Sequence, residues 1–204
     1  MKFSSSLIEQ AVLEFSKLPG VGKKTALRHV LHLLKTDQEK VNYFAEVIIN
    51  MRNNIQYCNL CFNVSDSNEC KICSDFSRKR NIICVVENIR DVMSIESTQH
   101  YSGLYHVLGA LLSPIDGIGP EQLTIQSLIE RAKTNDTTEI IFALSPTLEG
   151  DTTSYYIHKK LADMPIRFTT LSRGVAFGGE LEYTDDLTLA RSIMNRRPLE
   201  DMVK

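Results

Sequence analysis

The sequence predicts an α/β protein with a helical first segment, a cysteine-rich motif and a mostly parallel sheet flanked by helices. Apolar residues recur at helical spacing through residues 4–53. Two cysteine pairs follow, and from residue 81 short buried strands alternate with amphipathic helices. The pattern divides the chain into four segments, 1–53, 54–80, 81–175 and 176–204.

Composition indicates a soluble globular protein. Of 204 residues, 43% are hydrophobic and 24% are charged. No apolar run is long enough to cross a membrane, and Glu9 and Gln10 interrupt any signal-peptide core. We therefore expect a cytoplasmic protein without a membrane partner. Residues 1–80 carry 12 Lys+Arg against 8 Asp+Glu, while residues 81–204 carry 11 against 17, which favours binding of a polyanion at the front of the chain.

Three helices are predicted in the first segment, over residues 4–16, 23–35 and 37–53. Each has an apolar stripe at helical spacing. In the third helix we expect the stripe to face inward, and it consists of Val41, Phe44, Ala45, Ile48 and Ile49.

The first two helices are joined by LPGVG, followed by KKTALR. A nucleotide-binding P-loop would have glycine directly before its Lys-Thr pair, but Lys23 stands there and no buried strand precedes it. Gly20 and Gly22 instead permit a sharp turn with exposed backbone N–H groups at a helix start. The run matches the core of the helix-hairpin-helix motif, which binds nucleic-acid backbone. An ordinary turn between helices, with solvated lysines, is the alternative.

The cysteine-rich segment is CNLCFNVSDSNECKIC. Each two-residue gap lets one tight turn present two sulfurs to the same ion, and four sulfurs form the tetrahedral set that suits Zn²⁺. All four positions would be filled by protein, so we expect one closed, structural zinc site formed by Cys58, Cys61, Cys70 and Cys73. A redox pair or unligated thiols are the alternatives. Cys84 lies in a predicted strand and is expected to be a small core residue.

From residue 81 the alternation of strand and helix predicts a mostly parallel sheet. The predicted strands are NIICVVE, YHVLG, EIIFAL and IRFTTLS. The predicted helices are NIRDVMSIES, PEQLTIQSLIERAKT and DTTSYYIHKKLAD. The tail holds a glycine-rich turn, VAFGGELEY, and a last helix, DDLTLARSIMNRR.

Two of these strands end in acidic residues. NIICVVE ends at Glu87, and EIIFAL runs into SPTLEGD. This arrangement resembles the Toprim domain, in which a glutamate transfers protons and an Asp-x-Asp pair holds Mg²⁺. Here Ser145 and Thr147 stand where the two aspartates would be, which argues against Mg²⁺-dependent catalysis. The remaining acids, Glu149 and Asp151, have a structural explanation, since Asp151 or Thr152 is placed to cap the following helix.

Taken together, the motifs resemble the RecR family of bacterial recombination mediators along nearly the whole chain. The resemblance rests on LPGVGKKTALR, the cysteine spacing, ICVVENIRDVMSIE, YSGLYHVLGALLSPIDGIGPEQL, SPTLEGDTT and GGELEYTDDLTLARS. It implies a non-enzymatic, nucleoid-associated role in DNA repair and recombination, in which the protein works with RecO and in many bacteria with RecF. It also implies dimers that form ring-like tetramers able to encircle single- or double-stranded DNA.

The resemblance further implies roles for individual residues. Lys24 and Arg28 fall on the family's DNA-contacting positions, and Lys23 is an additional positive charge beside them. The Toprim face is associated with RecO, so the candidate partner contacts are Glu87, Glu149 and Asp151. Two other hypotheses stay open at this point. One is a Mg²⁺-dependent Toprim nuclease or topoisomerase that uses these three acids, and the other is a protein scaffold with little DNA affinity of its own.

Overall fold

The computed structural model describes residues 3–134, 136–175, 178–196 and 198, and the chain divides into two compact units between Ile55 and Gln56. The first unit consists of three helices, α1 (Ser6–Ser16), α2 (Lys23–Lys35) and α3 (Gln38–Asn54). No helix among the described residues is long and apolar enough to span a bilayer.

Helices α1 and α2 form a hairpin around a small apolar core. Val12, Ala26 and Val30 are its buried members. The side chain of Ser5 caps α1 by accepting from the backbone N–H of Ile8. The turn that follows requires glycine at position 20, where φ is +77°, a value that costs other residues strain.

Helix α3 departs from the expected burial. None of its residues is buried, and Phe44, Ile48 and Ile49 are 45%, 46% and 58% exposed. The prediction that this stripe faces inward is therefore wrong for the single chain. Helical spacing shows which side chains share a face, but it does not say whether another part of the same chain covers that face.

The second unit contains a two-stranded antiparallel sheet, a four-stranded parallel sheet and five helices within the described residues. Its strands are β1 (Gln56–Tyr57), β2 (Val64–Ser65), β3 (Lys79–Val86), β4 (Gly103–Val107), β5 (Glu139–Ala143) and β6 (Arg167–Thr170). Its helices are α4 (Lys71–Ser74), α5 (Ile89–Ser97), α6 (Ile125–Thr134), α7 (Leu148–Lys160) and α8 (Asp186–Met194).

The larger sheet has the strand order β4-β3-β5-β6, and every neighbouring pair is parallel. Side chains of β3 alternate between its two faces. Ile83 and Val85 join the larger core under α6 and α7, whereas Cys84 and Val86 join a second core under α5. The α/β prediction is confirmed, and the sheet aligns the carboxyl ends of β3 and β5 at one edge.

Two helices begin three or more residues from the start that the pattern predicted. The predicted helix from Pro120 breaks after a 3₁₀ turn, because Leu123 is extended, and α6 begins at Ile125. Helix α7 begins at Leu148, three residues before the predicted start. In the predicted turn VAFGGELEY, Ala176 and Phe177 lie outside the described residues.

Candidate metal centre and nucleic-acid interface

The four cysteines of the two CxxC pairs form one buried cluster. The sulfur atoms of Cys58, Cys61, Cys70 and Cys73 all lie within 4.8 Å of one another, and those of Cys61 and Cys70 are 3.5 Å apart. Zinc–sulfur bonds of about 2.3 Å place tetrahedral sulfurs about 3.8 Å apart, so this donor set fits Zn²⁺. No position is left for a reacting water, which makes the centre a structural one.

Protonation of the thiols opposes metal binding at this cluster. Hydrogen bonding to Cys70 and Cys73, together with burial, raises the pKa of the Cys61 thiol. The same hydrogen bonding from Cys61 lowers the pKa of Cys70. Zinc binds cysteine as the thiolate, so Zn²⁺ must displace any protons that the thiols still hold as it binds.

A buried arginine joins the cysteine cluster to the parallel sheet. Arg131 on α6 donates from Nη1 to the carbonyl oxygens of Tyr105, at 2.7 Å, and Leu60, at 3.2 Å. Its Nη2 lies 4.0 Å from the sulfur of Cys73. A tetrathiolate zinc centre carries two net negative charges, so a guanidinium at this distance offsets part of the cost of burying it.

Backbone hydrogen bonds also hold the cysteine turns against the sheet. The N–H of Val107, at the end of β4, donates to the carbonyl oxygen of Cys61 at 2.9 Å. Arg80 of β3 donates to the carbonyl oxygen of Cys73 at 3.0 Å. The metal centre is thus part of the same folded unit as the sheet.

The basic residues of the hairpin lie at the start of α2. Lys23, Lys24 and Arg28 are all exposed, and Lys24 and Arg28 share a face because they are four residues apart. In the part of the chain that the structure describes, none of the three forms an ion pair.

This helix start is electrostatically unfavourable without an anion. Gly22 provides no side-chain cap, the first turn contains no acid, and its unpaired N–H groups form the positive end of the helix. Cations placed there are repelled by the positive end of the helix dipole. A phosphate group would relieve the repulsion and accept hydrogen bonds from the same N–H groups.

The carboxyl ends of β3 and β5 form what we call the Toprim-like edge, which consists of Glu87 and residues 145–151. Here Glu87 lies beside Ser145. Ser145 Oγ donates to Glu87 Oε2 at 3.1 Å, so a hydroxyl occupies the position next to the acid. Among the described residues, the four cysteines are the only group of three or more His, Cys, Asp or Glu donors that lie close enough to share an ion. The remaining acids do not converge, and the residues present do not fit a Mg²⁺ site of the Toprim type.

Asp151 is engaged by an arginine. Arg173, in the loop after β6, donates to both carboxylate oxygens, at 2.5 and 3.2 Å. These hydrogen bonds lower the pKa of Asp151 and hold the carboxylate as part of an ion pair. The carboxylate can therefore offer less charge to a cation than an unpaired acid would.

The loop SPTLEGD ends earlier than expected. Thr147, not Asp151 or Thr152, caps α7 by accepting from the N–H of Gly150 at 3.2 Å. The predicted cap is therefore wrong, and both Glu149 and Asp151 lie in the first turn of the helix, where acids are favourable. Gly150 packs against the carbonyl oxygen of Ser145, a contact that leaves no space for a side chain.

Arg131 and Arg173 are the residues that sequence reasoning missed. Each reaches its partners through the fold, since Arg131 is 58 residues from Cys73 and Arg173 is 22 residues from Asp151. For Arg131 the sequence does contain a signal. The residue stands between Ile129 and Ala132 on the buried face of α6, where a cation needs partners inside the fold. Cys84 and His106 are both buried core residues, at 2% and 0% exposure.

Protein-family models match four consecutive parts of the chain. They are described as the RecR helix-hairpin-helix (residues 8–52), the four-cysteine zinc finger domain of RecR (55–75), the Toprim domain (81–172) and the RecR C-terminal region (174–197). The cysteine cluster thus lies in a segment that matches a zinc-finger family.

Curated proteins are similar over nearly the full length. The recombination protein RecR of Flavobacterium johnsoniae is 53% identical over 204 residues, which cover 100% of this chain and 99% of that protein. RecR of Phocaeicola vulgatus is 53% identical over 96% of this chain and 95% of its own length. RecR of Amoebophilus asiaticus is 55% identical over 96% of this chain and 98% of its own length.

Proposed function

Because the chain belongs to the RecR family of recombination proteins, we propose that it is a DNA-binding mediator of recombinational repair with no catalytic activity of its own. The observation that carries this proposal is the helix start at Lys23 and Lys24. This helix start is exposed to solvent, and it combines two lysine side chains, unpaired backbone N–H groups and the positive end of the helix dipole. A nucleic-acid phosphate is the ligand that this combination favours.

The proposed contact is with backbone and not with bases. Lys24 and Arg28 lie on one exposed face of α2, so both can reach phosphates of one strand. Phosphate contacts position a protein on DNA without reading its sequence. We therefore propose sequence-independent binding to single- and double-stranded DNA.

Oligomerisation would concentrate the cations of several hairpins. The whole chain has a net charge of −2, which by itself provides little attraction for DNA. Helix α3 exposes a row of large apolar side chains that a second copy can cover, namely Tyr43, Phe44, Val47, Ile48 and Met51. We propose a dimer or a ring-like tetramer that holds DNA as a clamp.

The Toprim-like edge is proposed as a surface for partner proteins. Glu149 and the ion pair of Asp151 lie in the first turn of α7, beside an exposed Leu148. An apolar centre with a polar rim is the arrangement found in protein–protein interfaces. We propose that this edge, which includes Glu87, contacts RecO, and RecF where it is present. The contact would form while the recombinase is loaded on single-stranded DNA at the nucleoid.

The segments have separate roles in this proposal. Residues 1–53 bind DNA, and residues 54–80 hold the structural zinc. Residues 81–175 form the non-catalytic Toprim domain, and residues 176–204 form the C-terminal segment.

The test measures DNA binding as a function of salt and protein concentration, with mass determination alongside. Replacement of both hairpin residues, Lys24→Ala with Arg28→Ala, is expected to lower affinity for every DNA sequence and to reduce the salt slope by about 2. The matched control is Lys133→Ala with Arg167→Ala, which removes the same charge from exposed positions in the second unit. Unchanged binding in the hairpin variant would reject the hairpin as the DNA contact.

Two further experiments test the partner surface and the absence of catalysis. Adding the RecO-type partner is expected to strengthen DNA binding by the wild-type protein, and Leu148→Glu is expected to impair this gain. Incubation of DNA with Mg²⁺ or Mn²⁺ is expected to give neither cleavage nor relaxation. Activity that disappears in Glu87→Gln would contradict the non-catalytic assignment.

A further inference from the structure

Phe76 is a large aromatic side chain that remains on the surface beside the cysteine cluster. Its exposed fraction is 88%, although burial of an aromatic ring away from water is strongly favourable. It follows α4 closely and lies three residues after Cys73. A single exposed apolar residue is common on protein surfaces, so the significance of Phe76 depends on the groups that surround it.

The turn that carries Phe76 is ordered by its neighbour. Asp75 Oδ1 accepts from the backbone N–H of Ser77 at 2.9 Å and from its hydroxyl at 2.7 Å. The N–H of Arg78 reaches the carbonyl oxygen of Asp75 at 3.4 Å. These bonds fix the backbone on both sides of Phe76, so the ring is presented outward by an ordered turn.

Arg80 lies over the ring in a fixed orientation. Its Cζ is 5.6 Å from the ring centroid, within the range of a cation–π contact. Its Nη1 donates to the carbonyl oxygen of Cys73 at 3.0 Å, which ties the guanidinium to the metal-binding turn. The ring and a cation are therefore held next to each other by the same short segment.

The segment around the ring is strongly basic. Residues 71–80 carry Lys71, Arg78, Lys79 and Arg80 against the single acid Asp75. Arg78 is engaged by Glu96, whereas Lys71, Lys79 and Arg80 are exposed and form no ion pair among the described residues. The charge around Phe76 is thus complementary to a polyanion.

We propose that Phe76 and Arg80 form a nucleobase-stacking site for single-stranded nucleic acid, separate from the hairpin. A base stacks on the ring of Phe76 while phosphates contact Arg80 and the neighbouring lysines. Paired bases in a duplex are already stacked and expose no face, so the site prefers single strands. The inference rests on the proposed function, since it adds a second contact for the same DNA.

The chain contains no tryptophan, which permits a direct measurement of stacking. Phe76→Trp introduces a single tryptophan, which can be excited at wavelengths where the seven tyrosines of the chain absorb little. Titration with oligothymidylate is expected to quench its emission, and the quenching is expected to weaken with salt. Duplex DNA and inorganic polyphosphate are expected to give little quenching, because the first hides its bases and the second has none.

Ile115→Trp is the matched control. Ile115 is 94% exposed in the same unit, and residues 111–122 contain no lysine or arginine. Its emission is expected to stay constant in the same titrations. In the otherwise native chain, Phe76→Ala is expected to weaken binding of single-stranded DNA roughly tenfold, while Ile115→Ala leaves it unchanged.

Several results would overturn the inference. If the protein binds single-stranded DNA through the hairpin while the introduced tryptophan is unaffected, the stacking site is wrong and the proposed function stands. If polyphosphate quenches as strongly as oligothymidylate, the segment recognises charge alone. If Phe76→Ala changes the oligomer mass and leaves DNA affinity intact, a second copy covers the ring. A protein that binds no DNA under any condition would overturn both proposals.

Discussion

The guanidinium of Arg173 binds both carboxylate oxygens of Asp151, with Nη2 2.5 Å from Oδ1 and Nη1 3.2 Å from Oδ2. A cation-binding acid of a Toprim domain would have to give up such a partner. Here the ion pair joins the loop after β6 to the first turn of α7. At the edge where a catalytic Toprim domain binds metal, this acid is therefore used in an ion pair within the fold.

The first prediction concerns recovery of metal binding at this edge. Ser145→Asp with Thr147→Asp restores two carboxylates, and aspartate keeps the cap of α7. When Arg173→Ala is added, we expect measurable Mn²⁺ binding by calorimetry or by electron paramagnetic resonance, tighter than in the double variant that retains Arg173. Equally tight binding by the wild-type chain would show that Ser145, Thr147 and Arg173 do not prevent metal binding.

The second prediction concerns Arg131 and zinc. Arg131→Met leaves the carbonyl oxygens of Leu60 and Tyr105 without a donor and removes the cation beside Cys73. We expect a loss of about 3 kcal/mol in the free energy of unfolding and faster zinc release to a colorimetric chelator. Lys133→Met, exposed on the same helix, is the control. Equal zinc release from both variants would argue against a role for Arg131 at the centre.

The third prediction concerns acid stability. Burial lowers the pKa of His106 to about 3, and its Nε2 lies 3.0 Å from the carbonyl oxygen of Thr124. Unfolding restores an ordinary pKa near 6.5, so the unfolded chain takes up the proton first. This contribution to stability is complete above pH 6.5 and is lost as the pH falls towards 3.

Between pH 6.5 and pH 5 the protonation of His106 in the unfolded chain is expected to lower the free energy of unfolding by about 2 kcal/mol. Denaturant unfolding at a series of pH values measures it, and His106→Gln is expected to flatten the curve over this interval. Since zinc release also follows acidification, zinc content is measured at each pH. The same slope in the variant would assign the acid sensitivity to other groups.

The fourth prediction concerns Gly150. A methyl group there would meet the carbonyl oxygen of Ser145, which belongs to the backbone and cannot move aside easily. We expect Gly150→Ala to lower the free energy of unfolding by about 2 kcal/mol. Gly174→Ala is the comparison, because its added methyl group would lie an ordinary 3.7 Å from Ser192 Oγ. Equal melting temperatures would show that the loop can adjust.

The fifth prediction concerns the exposed apolar face of α3. Charged residues introduced there, Phe44→Glu with Ile48→Glu, are expected to lower the oligomer mass measured by light scattering. They are also expected to weaken DNA binding through loss of the clamp. The control Ile115→Glu changes an apolar residue that is 94% exposed in the other unit. An unchanged mass in the α3 variant would place the oligomer contact elsewhere.

Sequence alone determined the features that depend on neighbouring residues. The bounds of α2 match the prediction at both ends, and each predicted strand of the parallel sheet was found. Strand alternation, helical spacing and the turn formed by a CxxC pair are local properties of a chain. The four sulfurs were therefore predictable as one metal centre before their positions were known.

Tertiary structure decided the features that join distant residues. The contacts of Arg131 with Cys73 and of Arg173 with Asp151 bridge 58 and 22 positions, and no local pattern records such a partner. The exposure of α3 depends on packing in the same way, whereas the start of α7 at Leu148 follows from the local cap by Thr147. Local spacing selects which side chains share a face, but burial and charge pairing depend on what the folded chain brings opposite that face.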